Sequence, residues 1–156
     1  NKDVKHNEKA VKNQIYSRTV IVLNVETFEN DMDVTVENLR DSVSCILRQY
    51  YNNNRLDLGT ELEVVFCIES PGGVVQDFGL AADQLTRLKN AGLERGDLMV
   101  TVCVDKIAAS GGYMMACQAS PGQLIAAPFA ILGSIGVLRE TINIHDVLEK
   151  YGKKTF

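Results

Sequence analysis

Two apolar, β-branched runs in this chain each break into a serine–glycine turn, and a helical pattern follows each turn. Leu62 to Ile68 runs into Glu69-Ser70-Pro71-Gly72-Gly73, and Leu98 to Val104 runs through Asp105-Lys106-Ile107-Ala108 into Ala109-Ser110-Gly111-Gly112-Tyr113. An earlier run, Thr19 to Val25, is followed in the same way by apolar residues at helical spacing: Val36, Leu39, Val43, Ile46, Leu47 and Tyr50. Short continuous apolar runs separated by amphipathic helices are the pattern of strands covered on both faces and joined by helical crossovers. The expected fold is therefore α/β with a largely parallel sheet.

The spacing also sets finer expectations. Asp33 or Thr35 is placed to cap the first helix, and Tyr51-Asn52-Asn53-Asn54 opens a solvated loop reaching Gly59. The second helix carries Phe78, Ala81, Ala82, Leu85 and Leu88 on one face, with Gly92 near its stop. Beyond Ser110 the pattern predicts a helix from Gly111 to Ala119 and a short strand from Gln123 to Ala126. An apolar segment broken by Gly133 and Gly136 comes next, then an amphipathic helix from Ile144 to Tyr151. Residues 1–17 are polar and aperiodic, so the domain is expected to occupy 18–156 behind a lead-in that is either flexible or a helix packed on something outside this chain.

With 156 residues, 46% of them hydrophobic, the chain can build one core but not two. Its net charge of −4, without a basic stripe, argues against a nucleic-acid surface. Cys45, Cys67, Cys103 and Cys117 are too widely spaced for a metal site and are expected to be buried free thiols. No run approaches the ~20 apolar residues that cross a bilayer. The start at Asn1 and the extended run opening near Phe156 suggest a piece of a longer protein.

In open α/β sheets ligands bind beyond the carboxyl ends of the strands, so both serine–glycine turns should face one crevice. Gly72 and Gly73 leave backbone N–H groups open to a substrate carbonyl, and Pro71 stiffens the approach. Ser110 stands where a helix begins, with Gly111 offering a second N–H and the helix dipole favouring a developing anion. Pro-Gly-Gly is also an ordinary turn, and serine an ordinary N-cap. A phosphate cradle is disfavoured, because neither G-x-x-x-x-G-K-[ST] nor G-x-G-x-x-G occurs.

Three ordered motifs carry a resemblance: E-S-P-G-G-V-V…G-L-A-A-D-Q-L-T-R-L, V-D-K-I-A-A-S-G-G-Y-M-M-A-C and A-A-P-F-A-I-L-G-S-I-G-V. From Val64 to about Phe156 the chain resembles the signal peptide peptidase A family of serine proteases, peptidase family S49, and within it the bacterial SohB-like branch. The resemblance implies a ClpP/crotonase-like spiral in which a serine acts with a lysine base and no cofactor. It makes Ser110 the nucleophile, and Gly73 and Gly111 the oxyanion donors, with Gly72 shaping the turn. Gly133 to Val137 would border the substrate channel, with Ser134 either touching substrate or satisfying its own turn.

The resemblance also places the base beyond Phe156, since Lys150, Lys153 and Lys154 lie on or just after an amphipathic helix. A triad of Ser110, His145 and Asp105 is the obvious substitute, yet Asp105 is better placed to orient the turn before Ser110. Two rival functions stay open, a crotonase-like acyl-CoA enzyme and an inactive structural homologue. The partners implied are peptide or protein substrates and further copies of the chain. The implied location is membrane-associated, extracytoplasmic or organellar, through segments outside this chain.

Overall fold

The computed structural model describes residues 17–27, 32–52 and 60–136. Strand β1 (Ser17–Glu26) leads to helix α1 (Met32–Asn52), and β2 (Thr60–Glu69) to α2 (Val75–Arg95). Next come β3 (Leu98–Val104), β4 (Ile107–Ala109), α3 (Gly111–Ala116), β5 (Leu124–Ala126) and β6 (Ile131–Gly133). The main sheet runs β1-β2-β3-β5, and β4 with β6 forms a second sheet. All of these pairings are parallel, as the crossover helices require. A single bridge between Ser70 and Ala108 stitches the end of β2 to the second sheet.

The core lies between the main sheet and the helices packed on one of its faces. Register places Ile21, Val64 and Val100 in one row, and Leu23, Phe66 and Val102 in the next. Phe66, Val64, Val100 and Val102 are wholly buried beneath Val43 of α1 and Leu85 and Leu88 of α2. The helical faces expected from spacing are the buried ones, from Val36 to Tyr50 and from Phe78 to Leu88.

Several boundaries differ from expectation. Helix α1 is already under way at Met32, so neither Asp33 nor Thr35 caps it, and it runs through Tyr51 to Asn52 before any loop. Helix α2 passes Gly92 and stops at Gly96, whose φ of 80° suits a residue without Cβ. Gly92 is there for packing: a Cβ on it would sit 2.1 Å from the Leu98 carbonyl oxygen. Helix α3 ends at Ala116, short of Ala119. The approach to Ser110 contains β4, a strand the sequence pattern did not predict.

Coverage of the sheet differs too. Opposite the helices, the described residues leave Val20 50% and Val22 58% exposed. Cys67 and Cys103 pair in register on that same face and are only half-buried, while Cys45 and Cys117 are exposed. The thiols are therefore free, as expected, but not buried. Desolvation, with the neighbouring Cys67 second, still raises the Cys103 thiol above its ordinary range. The polar lead-in before Ser17, the 53–59 loop, the Ile144–Tyr151 helix, His145 and the three late lysines lie outside the described residues.

Candidate active site

The Ser70–Ala108 bridge brings the two serine–glycine turns together. Ser70 N–H donates to Ile107 O at 2.9 Å, and Ala109 N–H donates to Ser70 O at 2.9 Å, so the segment entering one turn is zipped to the segment entering the other. At that seam the turns pack without side chains between them. A Cβ on Gly72 would lie 2.6 Å from Ser110 Cβ, 2.8 Å from Ala109 O and 3.0 Å from Gly111 N. A Cβ on Gly111 would lie 2.2 Å from Cγ of the buried Phe78, and one on Gly112 2.7 Å from Ser70 O. Gly72 also holds φ +94°, which side-chain-bearing residues rarely adopt.

Ser110 is not an ordinary N-cap. Its backbone sits at φ 50°, ψ −116°, and its side chain makes no cap hydrogen bond. Ser110 N–H instead donates to Gly133 O at 2.7 Å. A non-glycine residue held in such a conformation at a strand-to-helix turn stores of order 1–3 kcal/mol, and hydrolases use that geometry to push a nucleophile out of the backbone. Here β4 enters the turn and α3 leaves it.

The N–H groups around the serine divide cleanly. Gly72 N–H donates to Ser70 Oγ at 3.2 Å and Ser110 N–H to Gly133, so both are occupied. Gly73 N–H and Gly111 N–H donate to nothing among the described residues, although Gly111 is buried. Gly111 opens α3, where the first N–H groups have no intrahelical acceptor, so its donor is left free for a ligand. With α3 only six residues long, these N–H groups themselves, more than any helix dipole, offer positive charge.

Beside them opens a mostly apolar cavity of about 350 Å³, lined by Gly73, Ser110 and Gly111 with Val75, Met114 and Ile135 among its walls. The walls were not legible in the sequence, because they come from three separate segments. Tyr113 and Cys117 also face this space, and the hydrogen bond to Cys117 raises the Tyr113 phenol above its ordinary range. Ser134 is exposed at φ 53° and does not line the cavity, whereas its neighbours Ile135 and Gly136 do.

The remaining candidates stand elsewhere. Asp105 is exposed, and its side chain makes no hydrogen bond among the described residues. The turn before Ser110 is held by the backbone bond from Ile131 N–H to Lys106 O at 2.8 Å. Lys106 is turned to Glu69 at 2.9 Å and Lys89 to Gln118 at 3.3 Å, so both described lysines have partners other than Ser110. No cluster of three or more metal-ligating side chains occurs among the described residues.

The fold is thus a parallel α/β sheet that sets a serine of positive φ beside two backbone donors unpaired among the described residues, and the family models match it. The peptidase family S49 N-terminal model matches residues 1–85 and the peptidase family S49 model matches residues 95–155. The chain belongs to peptidase family S49, and its α/β, parallel architecture is the ClpP-like fold of that family.

Among curated proteins it is 46% identical over 113 residues to the probable protease SohB of Haemophilus influenzae, covering 72% of this chain and 28% of that one. It is 41% identical over 130 residues to the probable protease SohB of Buchnera aphidicola subsp. Schlechtendalia chinensis, covering 83% and 38%. The Acyrthosiphon pisum subspecies protein of the same name is 45% identical over 115 residues, covering 74% and 30%. The chain thus spans well under half the length of these relatives.

Proposed function

We propose that this chain carries the nucleophile and oxyanion hole of a serine peptidase of the Ser-Lys type. The observation that carries the reading is the pair of N–H groups, Gly73 and Gly111, unpaired among the described residues and flanking a serine held at φ 50°. Ser110 Oγ attacks the scissile carbonyl carbon, its proton passing to a neutral lysine amine supplied from the sequence that follows Phe156 in the longer protein. The carbonyl oxygen becomes an anion between the two N–H groups, where each donor is worth roughly 3 kcal/mol. Collapse breaks the C–N bond as the lysine returns its proton to the leaving amine. Water, deprotonated by the same lysine, then hydrolyses the acyl-enzyme.

The apolar cavity beside Ser110 suits a peptide with an apolar side chain next to the scissile bond, such as a fragment of a signal peptide or membrane protein. The reading also takes the protein to be a homo-oligomer associated with a membrane on its extracytoplasmic or organellar side. Attachment would come through other segments, since no described helix is long and apolar enough to cross a membrane. The test is Ser110→Ala in the full-length protein. Peptide cleavage and fluorophosphonate labelling both disappear in that variant, and undiminished turnover would refute the reading.

A further inference from the structure

Ser70 is wholly buried, yet it is a polar residue in a row of strand residues whose neighbour Ile68 is 2% exposed. Its hydroxyl oxygen accepts two hydrogen bonds. Ser70 Oγ accepts from Gly72 N–H at 3.2 Å and from Thr27 Oγ1 at 2.6 Å. Thr27, just past the end of β1, is itself anchored by its N–H donating to Glu69 O at 3.2 Å. The backbone of Ser70 meanwhile grips the other turn on both sides, through Ile107 O and Ala109 N–H. Gly112, two residues past Ser110, packs so close that a Cβ there would fall 2.8 Å from Ser70 Cβ.

One residue therefore touches both halves of the site without reaching the cavity, whose lining excludes it. Its hydroxyl holds the peptide N–H immediately upstream of the Gly73 donor. Gly72 has no side chain to restrict its rotation, and its φ of +94° is one of several that glycine can adopt. Freed from Ser70, the Gly72 N–H would seek another partner, and rotation about Gly72 would swing the Gly73 N–H away from Gly111.

We infer that Ser70, with Thr27 behind it, is a positioning residue that aims the Gly73 N–H at the oxyanion. The inference rests on the serine-peptidase reading and deepens it. Preorganised donors act on charge that develops only in the transition state, so their misaiming lowers kcat and leaves substrate binding nearly intact.

The test uses the full-length protein, a fluorogenic peptide amide with leucine before the scissile bond, and a peptide aldehyde of the same sequence. Ser70→Ala lowers kcat about ten- to a hundred-fold with KM within about twofold. It weakens aldehyde inhibition in parallel, because the hemiacetal anion needs the same donors. Thr27→Val, which removes the hydroxyl at constant shape, lowers kcat in the same sense, and Thr27→Ser restores it.

A role confined to folding would lower the unfolding midpoint and leave kcat and aldehyde affinity unchanged in the folded fraction, which overturns the inference. If Ser70→Ala does not fold, the Thr27 pair decides. Equal kcat in Thr27→Val and Thr27→Ser also overturns it. Full activity in Ser110→Ala instead removes the reading beneath it, so the two failures are separable.

Discussion

Replacing Gly72 by alanine tests the geometry of the site most directly, because the added methyl has nowhere to go. Its carbon would stand 2.6 Å from Ser110 Cβ and 2.8 Å from Ala109 O, and the second of these neighbours is backbone that cannot rotate away. The positive φ of Gly72 adds about 1–2 kcal/mol of strain for any L side chain. Overpacking adds about 1–3 kcal/mol more. The variant should therefore lose about 2–5 kcal/mol of stability, leaving a domain of ordinary stability folded but weakened.

The larger effect falls on chemistry. Relief of the clash pushes the Ser110 segment away from the Gly72 turn, and a displacement of about 1 Å at a reacting atom costs roughly a hundredfold in rate. That factor corresponds to about 2.7 kcal/mol of barrier. The assay pairs urea denaturation with the second-order rate of fluorophosphonate labelling, measured on the full-length protein well below its midpoint. Wild-type labelling together with a wild-type urea midpoint would refute the contact between the two turns.

Helix α2 offers a paired stability test. Gly92→Ala is destabilised by about 1–3 kcal/mol despite the better helix propensity of alanine, because its Cβ meets the Leu98 carbonyl oxygen. Gly79→Ala, with open space around the added Cβ, is stabilised by about 0.5–1 kcal/mol, and a reversal of this order in urea melts would contradict the packing described. Burial first, and then the hydrogen bond donated to Asp97, raise the Tyr50 phenol well above its usual value of 10.0. The folded state therefore favours the neutral phenol: this stability is fully present below pH 10 and is lost as pH rises beyond it. Urea midpoints measured from pH 8 upward should fall above pH 10 more steeply in the wild type than in Tyr50→Phe, and parallel profiles would rule the effect out.

Patterns governed by local periodicity were legible in the sequence. The buried faces of α1 and α2 follow from spacing alone, since Val43 and Leu85 recur where a 3.6-residue turn puts them against a sheet. Ser110 and the two glycine turns stood out because each ends an apolar run. What depended on distant partners was hidden. Gly92 does lie near the helix stop at Gly96, but its packing role was hidden because the Leu98 carbonyl that requires a glycine there is supplied by another element. Strand β4 is three residues long, and only pairing with β6 makes it a strand. Cys67 and Cys103 sit in apolar runs, yet the alternation of a strand turns both to the less covered face. The free Gly111 N–H was foreseeable, because the first N–H groups of a helix lack acceptors, but the capture of the Ser110 N–H by Gly133 O was not, because that carbonyl comes from a distant strand.

The single bridge between Ser70 and Ala108 also bears on when Ser110 takes up its place beside the Gly72 turn. Every strand pairing that leads to it joins residues tens of positions apart, with a helix to be laid down in between for the main pairs. Such non-local contacts form late, after the entropy of closing long loops has been overcome. On the serine-peptidase reading, a nascent or partly folded chain would carry at position 110 a relaxed serine no more nucleophilic than any other. Reactivity would then wait until the two sheets meet, and folding itself would be the first safeguard against stray cleavage during synthesis.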